Sequence, residues 1–111
     1  MSRHDPMIRL HHMRDYSREA IDLLGEKTLD ALLLDRTLQL ALARLVEVVG
    51  EASTRVTAAI KSQYPAIPWR DIAGMRNKLI HEYDYVDVTI VYNTVRNDLP
   101  PLIVLLDEVL A

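Results

Sequence analysis

Cysteine is absent from the 111 residues, and so is phenylalanine. The first absence excludes disulfides, thiolate nucleophiles and cysteine-based metal sites. The second, with Trp69 as the single tryptophan, leaves Leu, Val, Ile and Ala to fill a core. Glycine occurs three times, at the isolated positions Gly25, Gly50 and Gly74, so there is no glycine-rich phosphate loop. Positive charge is in deficit: 13 basic residues face 16 acidic ones, for a formal net charge of -3. A general nucleic-acid binder carries a basic excess, so strong nonspecific binding is disfavoured, although a local basic site can still meet RNA. The most apolar stretch, Leu29 to Val49, is interrupted by Asp30, Asp35, Arg36, Arg44 and Glu47, which argues against a membrane span. The opening residues MSRHDP lack an apolar signal core. A cytoplasmic protein is expected, with no membrane partner. Half the residues are hydrophobic, enough for a core, and the length suits one domain over residues 1–111.

What is present reads as helix. Asp5 and Pro6 suit a helix start, one capping free N–H groups and the other fitting the first turn. Gly25 is a natural stop, so a first helix is predicted from about Asp5 to Leu24. Thr28 can cap the next segment. Leu38, Leu42, Leu45, Val49, Ala52, Val56 and Ile60 then recur at spacings of four and three. They predict one long helix, from about Leu34 to Ile60, broad enough in its apolar surface to pack on two sides. Gly50 within it marks close packing or a bend. Pro65 and Pro68 break the helix, Ile67 and Trp69 plug the end of the core, and a turn runs from Pro68 through Ile72. A brief helix over Arg76 to Glu82 follows Gly74. Asp84 or Asp87 can cap a last section, with Asn97, Pro100 and Pro101 separating or kinking its halves. No alternating segments bounded by hairpin turns stand out. The expected fold is all-α: a bundle of four or five helices in an up-down arrangement, with a long central helix and a short motif helix.

The densest chemistry lies in MRNKLIHEYDYVD, Met75 to Asp87. On a helix, Asn77 and His81 are one turn apart on one face. Arg76 is five residues before His81 and turned about 140° away from it. The two converge only if Arg76 reaches round, if the helix frays near His81, or if a dimer brings two such helices into one cleft. The residue types suit RNA cleavage. Histidine moves protons near neutral pH, arginine holds a phosphate by two hydrogen bonds, and asparagine orients the ring or meets a ribose hydroxyl. With His81 removing the 2′-hydroxyl proton, the oxygen attacks the adjacent phosphate without a metal or other cofactor. The alternative is structural: Arg76 paired with Glu47 or Glu51, His81 favouring a helix C-terminus, and Asn77 tying down a turn. His11 and His12, adjacent on the first helix, do not share a face and make a poor metal pair. His4 carries less signal still.

The block PWRDIAGMRNKLIHEYDYVD, Pro68 to Asp87, resembles the HepT-like proteins of the HEPN superfamily. Their pattern of arginine, a polar residue, three intervening residues, histidine, one residue and tyrosine falls on Arg76, Asn77, His81 and Tyr83. Val48 to Ala52 is a second match, and the segments Asp5 to Met13 and Leu99-Pro100 fit more loosely. The resemblance implies an all-helical bundle, a homodimer with both motif helices near the interface, and a metal-independent endoribonuclease toxin. It implies a partner, a minimal nucleotidyltransferase acting as antitoxin, which transfers AMP to Tyr83. Tyr85 is a rival acceptor outside the family position. The catalytic roles carried over are phosphate binding by Arg76, acid or base work by His81 and positioning by Asn77, with Glu47 and Glu51 as candidate supports. The runner-up is a helical binding module that complexes with a nucleotidyltransferase without cutting RNA. The third is a helical dimer with a structural polar cluster.

Overall fold

The computed structural model describes residues 5–81 and 85–111. Asp5 accepts a hydrogen bond at Oδ1 from the Met7 N–H at 2.8 Å. Asp5 and Pro6 thus form an entering turn, and helix α1 runs Ile8–Leu24, starting later than the sequence suggests. Gly25 ends it with φ +56°, a conformation that suits glycine. Thr28 caps the short α2, Leu29–Leu33, by accepting from Ala31 N–H. Asp35 caps α3, Arg36–Thr54, by accepting from Leu38 N–H. Thr57 caps α4, Ala58–Gln63, in the same way through Ile60 N–H.

The single helix predicted from Leu34 to Ile60 is therefore two, broken at residues 55–57. The apolar stripe continues across the break: Val56 and Ile60 stay buried with Leu38, Leu42, Val49 and Ala52. A side-chain oxygen at residue 57 reaches the N–H of residue 60, which favours a new start over an unbroken run. Ala43 and Val46 are also buried, whereas Leu40 is largely exposed.

Helix α5, Trp69–Leu79, follows the Pro65–Pro68 turn. It replaces the predicted turn and brief helix with one continuous element. Ile80–His81 (β1) and Tyr85–Val86 (β2) then form a two-residue antiparallel ladder, pairing Ile80 with Val86 and His81 with Tyr85. No hairpin was expected there. Asp87 caps α6, Val88–Asn93, accepting from Ile90 N–H. A π-helical segment, Thr94–Asp98, leads directly into α7, Leu99–Leu110.

Pro100 and Pro101 have no N–H to donate to the carbonyls four residues back. The wider turn accommodates them, with Leu99 N–H reaching Thr94 O, five residues back. The two halves are continuous rather than separated. The long elements are thus α1, α3, α5 and the composite α6–π–α7, an all-α arrangement with α2 and α4 in the connections. Helix α3 packs on both α1 and α5, and α7 closes on α1. One core joins Leu10, Met13 and Leu24 of α1 to Leu42, Val46 and Val49 of α3, Ile72 of α5, and Leu99 and Leu106 of α7. Among the described residues no helix is long and apolar enough to cross a membrane.

Candidate active site

The start of α5 is held from several directions. The Pro68 carbonyl accepts from Ile72 N–H at 3.0 Å, and Trp69 N–H reaches Ile67 O at 2.9 Å. The indole Nε1 of Trp69 donates to Tyr64 O at 3.1 Å, and the Lys61 ammonium lies 5.8 Å from the ring centroid, within reach of a cation–π attraction. Ile67 is buried and Trp69 half-buried, so both close the end of the core as expected. Ile72 anchors α5 against α3 from a fully buried position.

Beyond Ile72 the helix turns two different faces outward. Asp71, Met75 and Lys78, at spacings of four and three, share one face. It borders a cavity of about 410 Å³ between α5 and the π-helical segment, with Ile72 and Leu102 in its floor and Asp98 on the opposite wall. Arg70, Gly74 and Asn77 share another face by the same spacing. Asn77 is exposed and is not part of the cavity lining.

Helix α5 ends at Leu79, so Asn77 and His81 are not successive turns of one helix. Arg76 lies in α5 and His81 in β1. Tyr83, the expected AMP acceptor, lies outside the described residues. His81 is instead paired through its strand with Tyr85. The i, i+4 relation predicted within the motif is thereby replaced by a helix-to-strand junction, one of the arrangements that takes His81 off the helix line.

Glu47 and Glu51 are brought together by a third residue. Arg44 Nη1 lies 3.4 Å from Glu47 Oε2 and 3.6 Å from Glu51 Oε1. Both carboxylates are thus engaged by Arg44 of their own helix. His11 accepts at Nδ1 from Arg14 Nη2 at 3.3 Å, and the His12 ring lies 6.1 Å from that of Tyr16. These contacts give both histidines local partners on α1. His4 lies outside the described residues.

Similarities to a protein family and to individual proteins bear on this site. The family model described as ribonuclease HepT-like matches residues 13–109, a span that contains the whole motif. A protein of Thermococcus cleftensis named "Probable ribonuclease HepT" is 43% identical over 88 residues, covering 76% of this chain and 80% of that protein. A Methanocaldococcus jannaschii protein that bears the name of an inferred RNase is 31% identical over 110 residues, covering 99% and 91%. A Caldanaerobacter subterraneus protein named in the same way is 38% identical over 68 residues, 61% of each chain. No solved structure matches the chain.

Proposed function

The chain belongs to the ribonuclease HepT-like family, which places it among ribonucleases, and from that premise we propose that it is the toxin of a type VII-like HEPN/MNT toxin–antitoxin pair. The toxin is a metal-independent endoribonuclease built as one HepT-like HEPN domain over residues 1–111. The observation that carries the reading is the match over residues 13–109, within which Arg76, Asn77, His81 and Tyr83 stand in the family's order.

In this reading His81 takes the proton of a ribose 2′-hydroxyl. The oxygen attacks the adjacent phosphorus, the bond to the 5′-oxygen breaks, and that oxygen takes up a proton as it leaves. Arg76 holds the non-bridging oxygens, where negative charge grows. Asn77 positions the ribose or the imidazole. The cleft is completed across a homodimer, as the family resemblance implies. Glu47 and Glu51 support the site through their helix. The cognate minimal nucleotidyltransferase transfers AMP to the Tyr83 hydroxyl, releasing pyrophosphate from ATP. The added phosphate and bulk beside the motif repel an RNA backbone and close the cleft. The second reading, a non-cutting module that complexes with the nucleotidyltransferase, is favoured by the net charge of -3.

Unmodified protein should cut single-stranded RNA in EDTA and leave 2′,3′-cyclic phosphate ends. Arg76→Ala and His81→Ala should each lower the rate by about 10²–10⁴-fold with helical content unchanged. Cleavage that survives in folded His81→Ala removes that residue from catalysis, and dependence on added magnesium counts against the mechanism. On co-expression with the nucleotidyltransferase, intact mass should show AMP mapping to Tyr83, and Tyr83→Phe should escape modification. Nucleotide mass that maps elsewhere, with Tyr83→Phe modified as before, sinks the proposed role of Tyr83.

A further inference from the structure

The longest stretch of the chain without an acidic residue lies between Glu51 and Asp71. Residues 52–70 hold Arg55, Lys61 and Arg70, three of the 13 basic side chains, and none of the 16 acidic ones. Tyr64 and Trp69 lie among them. Past Asp71 the next charges are Arg76 and Lys78, so the positive character continues along α5 in a chain that is acidic as a whole. Arg55, Arg70 and Lys78 are exposed, and no carboxylate among the described residues pairs with them. Lys61 is held over Trp69 at the entrance to α5.

Gly74 adds a second observation. Glycine inside a helix is unfavourable relative to alanine, and tight packing is the usual reason to keep it. Here a Cβ added at Gly74 would meet no atom within 4 Å. The fold therefore has no steric need for this glycine. It sits between Arg70 and Asn77, both exposed, on a face of about 10 Å from first residue to last. What it leaves is bare helix backbone between a guanidinium and an amide, on the helix that carries Arg76.

We infer that this outer face of α5, from Arg70 across Gly74 to Asn77, is the track along which the backbone of single-stranded RNA lies. The inference rests on the ribonuclease reading and names where its substrate approaches. Arg70 grips a phosphate by its fork of donors, Lys61, over the Trp69 ring at the start of α5, adds positive charge near its entrance, and Asn77 bonds sugar or phosphate oxygens. The glycine lets the strand come close to the helix. Such contacts position RNA without reading its sequence. The cavity on the neighbouring face carries Asp71 and Asp98 against a single basic residue, Lys78, and so suits a polyanion less well.

The test is binding of a short labelled oligouridylate in EDTA, in a His81→Ala background that leaves the RNA intact. Arg70→Glu should weaken binding by about tenfold or more, and Arg70→Ala should lower the salt slope by about one. Gly74→Ala should raise the melting temperature, keep the oligomeric state and weaken binding by about tenfold. Unchanged binding in Arg70→Glu and Gly74→Ala overturns the track, as does a parent that does not bind the oligonucleotide. A changed oligomeric state in Gly74→Ala with unaltered RNA binding also overturns it, marking the face as a contact between copies. If the variants behave as expected but the wild type never cuts, the track stands and the cleavage reading falls. If the wild type cuts and both variants cut equally well, cleavage stands and the track falls.

Discussion

Ser17 is fully buried in α1, and its hydroxyl has no hydrogen-bond partner among the described residues. A desolvated hydroxyl without a partner costs stability, whereas alanine of nearly the same size does not. Ser17→Ala should leave the protein as stable or stabilise it by up to about 1 kcal/mol, read from urea unfolding. A clear loss would show that the hydroxyl is engaged. Arg96 is the opposite case. Its guanidinium donates to Gly25 O at 2.7 Å and Lys27 O at 2.8 Å, and lies 5.3 Å from the Tyr92 ring. It thereby satisfies carbonyls where the chain leaves α1 through Gly25. Arg96→Ala should cost about 1–2 kcal/mol, the lower part of the range for charge-assisted bonds because one of the two is exposed. Neither residue announces itself in the sequence. Thr28, Gly25 and Asp87 do, because a cap or stop acts within three or four residues. Arg96 reaches across the fold to a loop that no local pattern connects with it.

At the scale of the element, the apolar stripe through Val56 and Ile60 identified buried positions apart from Leu45, which is half-buried, and concealed the break at residues 55–57. Asp35 and Thr57 each cap a new helix. A stripe records which residues face the core and is blind to a bend that keeps them there. The motif shows the same limit: a spacing of four from Asn77 to His81 suits a helix, yet the chain turns into β1 after Leu79. The prolines at 100 and 101 did signal an irregularity. Its form follows from Val91, Val95 and Leu99, all buried. Two spacings of four drift by about 80° in a regular α-helix, and the wider π turn absorbs that drift. The join between α2 and α3 depends on Gln39, which is buried and donates from Nε2 to Leu32 O at 2.9 Å and Leu33 O at 3.3 Å. Both carbonyls lie at the end of α2, where Leu32 O also accepts from Asp35 N–H at 3.1 Å. Gln39→Ala should cost about 1–3 kcal/mol and should release amide exchange protection in α2 before that in α3. Loss of protection in both helices together would mean that α2 is not held separately by this side chain.

For the whole molecule, the remaining question is what covers the apolar side chains that the bundle leaves outside. Leu34 is 90% exposed, Leu33 50% and Leu40 46%, all near the junction of α2 with α3. Scattered exposed leucines are ordinary, but these three, close together along the chain, offer apolar area that association would bury. The proposed dimer supplies an occupant, a second copy of the chain. Apolar burial contributes about 25 cal/mol per Å², and only the surplus over the cost of association appears as affinity. Light scattering at high micromolar concentration should report a dimer or larger species. Leu40→Lys should shift it toward monomer without loss of helical content, since Leu40 lies outside the core. Cleavage should fall in parallel with the dimer fraction if each cleft draws on both copies. A wild type that is strictly monomeric sinks the shared cleft. A Leu40→Lys monomer that cuts at the full rate shows instead that a single α5–β1 junction suffices for catalysis.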